Sequence, residues 1–315
     1  MNLLGPPRQL MGAVDGWQRR SRWGGVPYAV VKKFDDDRAN LYVVALAWYG
    51  FTAIFPLLLV LMTVLGFVGA QGLGQGIINT LHEFPVIGSS FNPAQPSALH
   101  GNGIGLVIGL LGLLYGAQGV TQTAQQAMDV VWGVPRDQRA GFVPRLGRSV
   151  AGLAIIGGAF LLNSLVTTYA TGGTTNYLIR VPVLVGLVIL NVGLYFASFT
   201  VLSAGCENPR SLLPGSIVAA IGFTALITVG TGLMTHQLRS ASATYGAFGS
   251  VIGIVAFLLL LAKLVLYAAE LNPVLARGLY PRALPLGGGP TEADQAAIPS
   301  QRQDANDSLT SESRR

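Results

Sequence analysis

The sequence predicts an all-α membrane protein, a bundle of six transmembrane helices with additional interfacial amphipathic helices. Three observations carry this expectation. Of the 315 residues, 51% are hydrophobic and only 11% are charged, with a mean hydropathy of +0.52, a balance that soluble domains do not show. The apolar residues fall in blocks long enough to cross the hydrocarbon core as helices, at about 41–69, 103–121, 149–169, 181–204, 213–235 and 249–271. The blocks are continuous rather than alternating, and in lipid a helix satisfies its own backbone groups whereas a lone strand does not.

Taken in order, residues 1–40 form a cytoplasmic or interfacial N-terminal segment. Trp17, Trp23 and Tyr28 are mixed there with Arg and Lys, and 26–34 is a short amphipathic stretch, a composition that suits the headgroup layer. A solvated tail is the plainer alternative. The membrane domain spans 41–278. Its first block contains Pro56, which frees the carbonyl of Thr52 and predicts a kink that is either functional or merely architectural. The connection 70–102 places Ile77, Ile78, Leu81 and Phe84 on one helical face, the pattern of a helix lying on the outer surface.

The second block carries Gly101, Gly105, Gly109, Gly112, Gly116 and Gly119 at steps of three and four, so that one side is open to close approach by another backbone. Packing inside the bundle is the expected meaning, ahead of dimerisation. Gly246, Gly249 and Gly253 repeat the device at the start of the sixth block. After the second block, TQTAQQAMDVVWGV turns polar on one face, with Trp132 expected at the water boundary. Residues 279–315, rich in Gly, Pro, Gln, Ser, Asp and Glu, are expected to be a disordered cytoplasmic tail.

Basic residues set the orientation. Arg8, Arg19, Arg20, Arg22, Lys32, Lys33 and Arg38 precede the first block, and Arg136, Arg139, Arg145 and Arg148 follow the second, while 70–102 has none. Six spans with this asymmetry place both termini in the cytoplasm. The net charge of +6 lies beside apolar runs and is interleaved with acids such as Asp35, Asp36 and Asp37, so it reads as anchoring to the lipid bilayer and not as a nucleic-acid surface. The single Cys206 excludes an internal disulfide.

The sharpest polar signal is in the last block. Lys263 and Glu270 are seven residues apart, on one face but about 10.5 Å apart along the axis, too far to touch. Each needs a further partner, and Asn163, Asn191 and Glu207 are the candidates, with Asn272 beside the helix end. Because helical side chains lean toward the N-terminus, Lys263 is expected to point into the bilayer. An intramembrane charge suggests a proton or ion relay, or a contact for a charged substrate group; a pair that only fixes helix packing is the competing reading.

Signatures of soluble catalysis are missing. His82, His100 and His236 are isolated, so no metal site is expected, and there is no phosphate-binding glycine loop, nucleophile elbow or dinucleotide fingerprint, hence no cofactor. No enzyme activity is expected.

Two stretches, ALAWYGFTAIFPLLLVLMTVLG at 45–66 and TYGAFGSVIGIVAFLLLLAKLVLYAAELNPVLAR at 244–277, resemble the signature regions of the YihY/virulence factor BrkB family of bacterial inner-membrane proteins, formerly labelled ribonuclease BN. QQAMDVVWGV and LPGSIVAA resemble two weaker blocks of that family. Pro56, Tyr245, Gly246, Phe248, Gly249, Glu270 and Asn272 fall on matching elements, whereas AFLLLLAK, with Lys263, departs from an aromatic-rich stretch. The resemblance implies a six-span bundle and no settled chemistry. Two functions stay open: a transporter-like or export-related protein whose substrate is a small molecule, an ion or a lipid, and a non-transporting envelope scaffold or lipid-organising protein. Ribonuclease activity is disfavoured for want of a nucleophile and base. The oligomeric state is not readable.

Overall fold

The structure, a computed structural model, describes residues 22–68, 103–135, 138–139, 141–171, 177–203, 206, 208–227, 247–283 and 291–296. Among the described residues there are helices and no strands. Helix α1 is Arg22–Asp36, α2 is Asn40–Val68, α3 is Gly103–Val131, α4 is Phe142–Thr171 and α5 is Tyr177–Leu202. A 3₁₀ turn, Pro209–Leu212, leads into α6 at 213–227, and α7 is Ala247–Ala276.

Among the described residues, five stretches are long and apolar enough to cross a membrane: Asn40–Val60, Gly103–Val131, Val185–Leu202, Pro209–Ile227 and Val251–Ala276. The expected span at 149–169 lies within α4, a helix of 30 residues. The expected surface helix in 70–102 lies outside the described residues. Large apolar side chains face outward along these helices, among them Trp48 and Phe55 on α2, Ile104 and Leu111 on α3 and Ile189 on α5. In water such a surface is untenable; in lipid it is the expected exterior.

The glycine stripe of α3 meets α2. A Cβ added at Gly109 would lie 2.9 Å from Val60 Cγ2, one at Gly112 3.0 Å from Pro56 Cβ, and one at Gly116 2.8 Å from Ala53 Cβ. At Gly119 the added atom would collide with the Tyr49 ring. Missing side chains therefore let two antiparallel helices close up along about three turns, and Pro56 sits in that seam. Gly105 is half-buried on α3 and Gly253 on α7. Gly249 belongs to α7, with its surroundings undescribed, and Gly246 lies outside the described residues.

Helix α7 packs against α1 and α2. Val43 of α2 shares a buried cluster with Phe34, Ala39, Ala127, Ala262 and Leu266, and Gly50 faces Leu258. Two helices end in the paired C-cap hydrogen bonds that consume orphan carbonyls, and a third has the longer of the two bonds. In α1 these are Ala39 N to Phe34 O and Arg38 N to Asp35 O, in α3 Val134 N to Asp129 O and Gly133 N to Val130 O, and α7 has Leu279 N to Val274 O. The residue turning the chain has positive φ in each case: Arg38 at 51°, Gly133 at 62° and Gly278 at 62°.

Two expectations change at this end of the bundle. The amphipathic stretch 26–34 does not present its apolar face to headgroups; Ala29, Val30 and Phe34 are buried, and Ala29 and Val30 pack with Val274 and Leu279. The stretch expected to be disordered from 279 onward is folded at 279–283 and 291–296. Thr291 and Asp294 cap the short helix reciprocally, with Asp294 N donating to Thr291 Oγ1 at 3.2 Å and Thr291 N to Asp294 Oδ2 at 3.0 Å. Polar composition did not reveal that fixed charges on α1 would hold these residues.

Candidate functional site

Lys33 is the centre of a buried charge cluster. Its Nζ donates to Glu270 Oε2 at 2.8 Å, to Val131 O at 2.9 Å and to Asp37 Oδ2, so all three ammonium donors are used. Helix periodicity makes this geometry: Lys33 and Asp37 are one turn apart on α1, Val131 is the last residue of α3, and Glu270 is on the face of α7 that α1 covers. Lys33 and Glu270 side chains are 8% and 0% exposed. Around them Phe34 stacks on Tyr267 with centroids 4.2 Å apart.

The electrostatics are those of a pair of carboxylates sharing one cation. Burial opposes the Lys33 charge, but Glu270 and Asp37 overcome it and hold the ammonium above its ordinary value. Burial in turn lifts the Asp37 carboxyl above its ordinary range against the pull of Lys33. Fully ionised, the three side chains carry one net negative charge in a largely buried site; one proton taken up by the carboxylates makes the cluster neutral. Glu270 Oε1 has no hydrogen-bond partner among the described residues, so a lone pair is available to receive that proton.

A second, wetter cluster adjoins it. Lys32 pairs with Asp294 at 2.7 Å and donates to Ala283 O at 3.2 Å. Arg282, 2% exposed, reaches Asp36 and Asp294, each at 3.4 Å. Asp294 also accepts from Ala283 N at 2.9 Å, and these donors hold its carboxyl below the usual carboxylate range despite partial burial. Neighbouring lysines on α1 thus act in two directions: Lys33 holds α7 and α3, and Lys32 holds the segment after α7.

The residues singled out in the sequence are distributed differently from the expectation. Glu270 is in the cluster, where its ion-pair partner is Lys33, and neither Lys263 nor Asn191 reaches it. Lys263 is exposed, and its ammonium lies 5.9 Å from the centroid of the Tyr267 ring. The two residues are one turn apart on α7, the spacing at which a cation meets a ring face. Asn191 donates to Leu187 O of its own helix at 3.0 Å. The Asn163 side chain and Glu207 lie outside the described residues.

Asn272 has a defined structural task. Its Oδ1 accepts from Gly215 N at 2.7 Å, satisfying a first-turn donor of α6 from another helix. A Cβ at Gly215 would collide with Ala268 O and lie 2.5 Å from the Asn272 amide, so glycine is required there. Trp132, expected at the water boundary, is 5% exposed. Arg277 crosses it, with its guanidinium 5.7 Å from the ring centroid and Nη2 donating to Trp132 O at 2.8 Å.

Lys33 was overlooked as a site residue because it stands among six other basic residues before the first apolar block and was counted with them as an anchor. One signal marks it: Lys33 and Asp37 have the spacing of a helical ion pair on the apolar side of 26–34, where an ordinary anchor would face outward.

The fold and the cluster together define a multi-pass helical membrane protein with a buried three-charge site where α1, α3 and α7 end. The chain belongs to the BrkB family: residues 30–286 match the family described as virulence factor BrkB. It is similar to a protein of Dickeya dadantii (strain 3937) described as uncharacterized, with 27% identity over 298 residues covering 84% of this chain and 88% of the relative. It is also similar to the inner membrane protein YhjD of Escherichia coli (strain K12), with 28% identity over 266 residues covering 76% and 77% of the two chains. No solved structure matches the chain. The family match includes Lys33, Asp37 and Glu270.

Proposed function

We propose that the protein is a transporter-like or export-related protein of the bacterial cytoplasmic membrane, with six spans, a surface helix in 70–102 and both termini in the cytoplasm, and that it is not an enzyme. The observation that carries this reading is the Lys33–Asp37–Glu270 cluster. Ionisable groups buried beside apolar spans are expensive, and this cluster has one carboxylate more than it has cations. Taking up one proton leaves one carboxylate for the one ammonium and makes the cluster neutral. That changes how firmly α1 holds α3 and α7, which makes protonation a means of moving helices against one another. The name of the Escherichia coli relative supports the inner-membrane location, and the asymmetry of basic residues supports the orientation.

One observation favours a second reading, a non-transporting scaffold or lipid-organising protein: Glu270 is 0% exposed, so the cluster serves equally well as a lock. Full-length protein in liposomes containing a trapped pH dye separates the two. Proton entry down an imposed gradient that exceeds protein-free liposomes and is lost in Glu270→Gln supports transport. Entry no faster than in protein-free liposomes, with co-purifying partners altered by the same substitution, refutes it and leaves the scaffold.

A further inference from the structure

We propose that Lys263, on the flank of α7, binds the phosphate of an anionic phospholipid. Lys263 and Glu270 lie on nearly the same face of one helix, yet Glu270 is fully buried and Lys263 is exposed. The difference is the extent of α1. Helix α1 covers α7 from Val274 to Tyr267, where Phe34 stacks on the Tyr267 ring, and it ends at Asp36. One turn further on, the same face of α7 is open. From there Leu260, Ala256 and Ile252 continue it as an exposed apolar stripe, the surface that acyl chains would cover.

A lysine facing lipid needs an anion or a route to water. Among the described residues Lys263 makes no ion pair; its recorded partner is the Tyr267 ring. The ammonium lies 5.9 Å from the centroid of the Tyr267 ring, which stacks on Phe34 two residues before the end of α1; Asp35 and Arg38, which follow Phe34, are exposed and α2 begins at Asn40. A flexible lysine stem beside this polar turn can bring its head to the depth of lipid phosphates while its base stays on the apolar stripe. An anionic headgroup at that corner completes what the protein lacks: a counter-charge for the ammonium, with acyl chains running down the stripe. Asp35 is the exposed carboxylate at the same corner, and it is the competing partner to be tested. This inference stands apart from proton movement at Glu270.

The test uses the full chain in nanodiscs of phosphatidylcholine mixed with phosphatidylglycerol, followed by release of the protein with its bound lipid and quantification of that lipid. Wild type is expected to enrich phosphatidylglycerol about fivefold more than Lys263→Gln, the effect of one cation near the headgroup layer, with Lys263→Arg retaining the enrichment and Asp35→Asn not reducing it. Thermal unfolding gives an independent readout. Lys263→Leu should be more stable than wild type in pure phosphatidylcholine, and that advantage should shrink when phosphatidylglycerol is present. Equal enrichment in wild type and Lys263→Gln overturns the proposal. So does an unchanged Lys263→Leu advantage in the two lipids, or its loss in pure phosphatidylcholine on adding inorganic phosphate alone, which would mark a site for a soluble anion. If Lys263→Gln has no effect in the Asp35→Asn background, the partner is Asp35 and the lipid site is refuted.

Discussion

Replacing Lys33 by methionine keeps the length and apolar stem of the side chain and deletes only the ammonium. Three acceptors lose their donor together: Asp37, Glu270 at 2.8 Å and the Val131 carbonyl at 2.9 Å. Removing one partner from a buried ion pair costs about 3–5 kcal/mol because the remaining charge is stranded, and here two carboxylates are stranded. At about 2 °C per kcal/mol for a chain of this size, Lys33→Met should unfold about 6–10 °C below wild type in the same detergent, followed by tryptophan fluorescence. The double variant Lys33→Met/Glu270→Leu should recover about 2–3 kcal/mol of that loss, since the coupling belongs to the pair. Acid should narrow the gap. The folded-state Asp37 carboxyl is raised, so its protonated form favours the fold, and that contribution is present at low pH and lost as pH rises through the raised value. A stranded carboxylate shifts further the same way, making the deficit of Lys33→Met largest at neutral pH and smaller on acidification. A loss under about 1 kcal/mol, or a double variant as unstable as the sum of its singles, would refute the cluster as a coupled buried unit.

Other substitutions probe separate features of the fold. Gly116→Ala forces a Cβ to within 2.8 Å of Ala53 Cβ and should cost about 1–3 kcal/mol, whereas Gly193→Ala on α5, with open space around it, should leave unfolding unchanged or raise it slightly; the two are compared by thermal unfolding. Arg38→Gly should stabilise by about 1 kcal/mol, because Arg38 turns the chain at φ 51°, where an L side chain is disfavoured. Asp294→Asn should release the segment after α7 from α1, read as at least a tenfold loss of hydrogen-exchange protection at the Ala283 amide, the loss expected when a charged acceptor is removed. Wild type should lose the same protection in acid: with its folded value depressed, Asp294 contributes stability above the ordinary carboxylate value of 3.8 and loses it as pH falls below that.

What the sequence disclosed and what it hid follow the range of the interactions. The α2–α3 seam was legible because the register of Gly109, Gly112 and Gly116 is local to one helix, and close packing against some neighbour follows from that register alone. The importance of Glu270 was legible because a carboxylate in an apolar block stands out against its surroundings. Its partner was not, since Lys33 and Glu270 are 237 positions apart and no helical spacing links α1 to α7. Lys263 misled for the opposite reason: seven-residue spacing does align it with Glu270, but alignment on one helix says nothing about where a neighbouring helix stops. The folded part of the C-terminal segment was concealed by composition. TEAD reads as polar filler until Lys32 and Arg282 are found beside Asp294.

The position of the charge cluster explains why a single lysine is in such demand. Helices α1, α3 and α7 all end in C-caps within reach of this region, and a helix C-terminus carries partial negative charge on its last carbonyls. Lys33 answers the end of α3 through Val131 O, and Arg277 answers the same end through Trp132 O. Asp37 and Glu270 add two formal negative charges to a site that the ends of α1 and α3 already make negative. One ammonium satisfies the hydrogen-bonding geometry but not the charge. The balance is restored by a proton or by opening the cluster to water, and opening it means lifting α1 from α7. Glu270→Gln, which removes one negative charge and keeps the shape, should therefore fix α1 in place, and the hydrogen-exchange protection of the α1 amides should lose the pH dependence it has in wild type. Protection that keeps its wild-type pH dependence in this variant would separate Glu270 from the motion of α1 and leave the cluster a static lock.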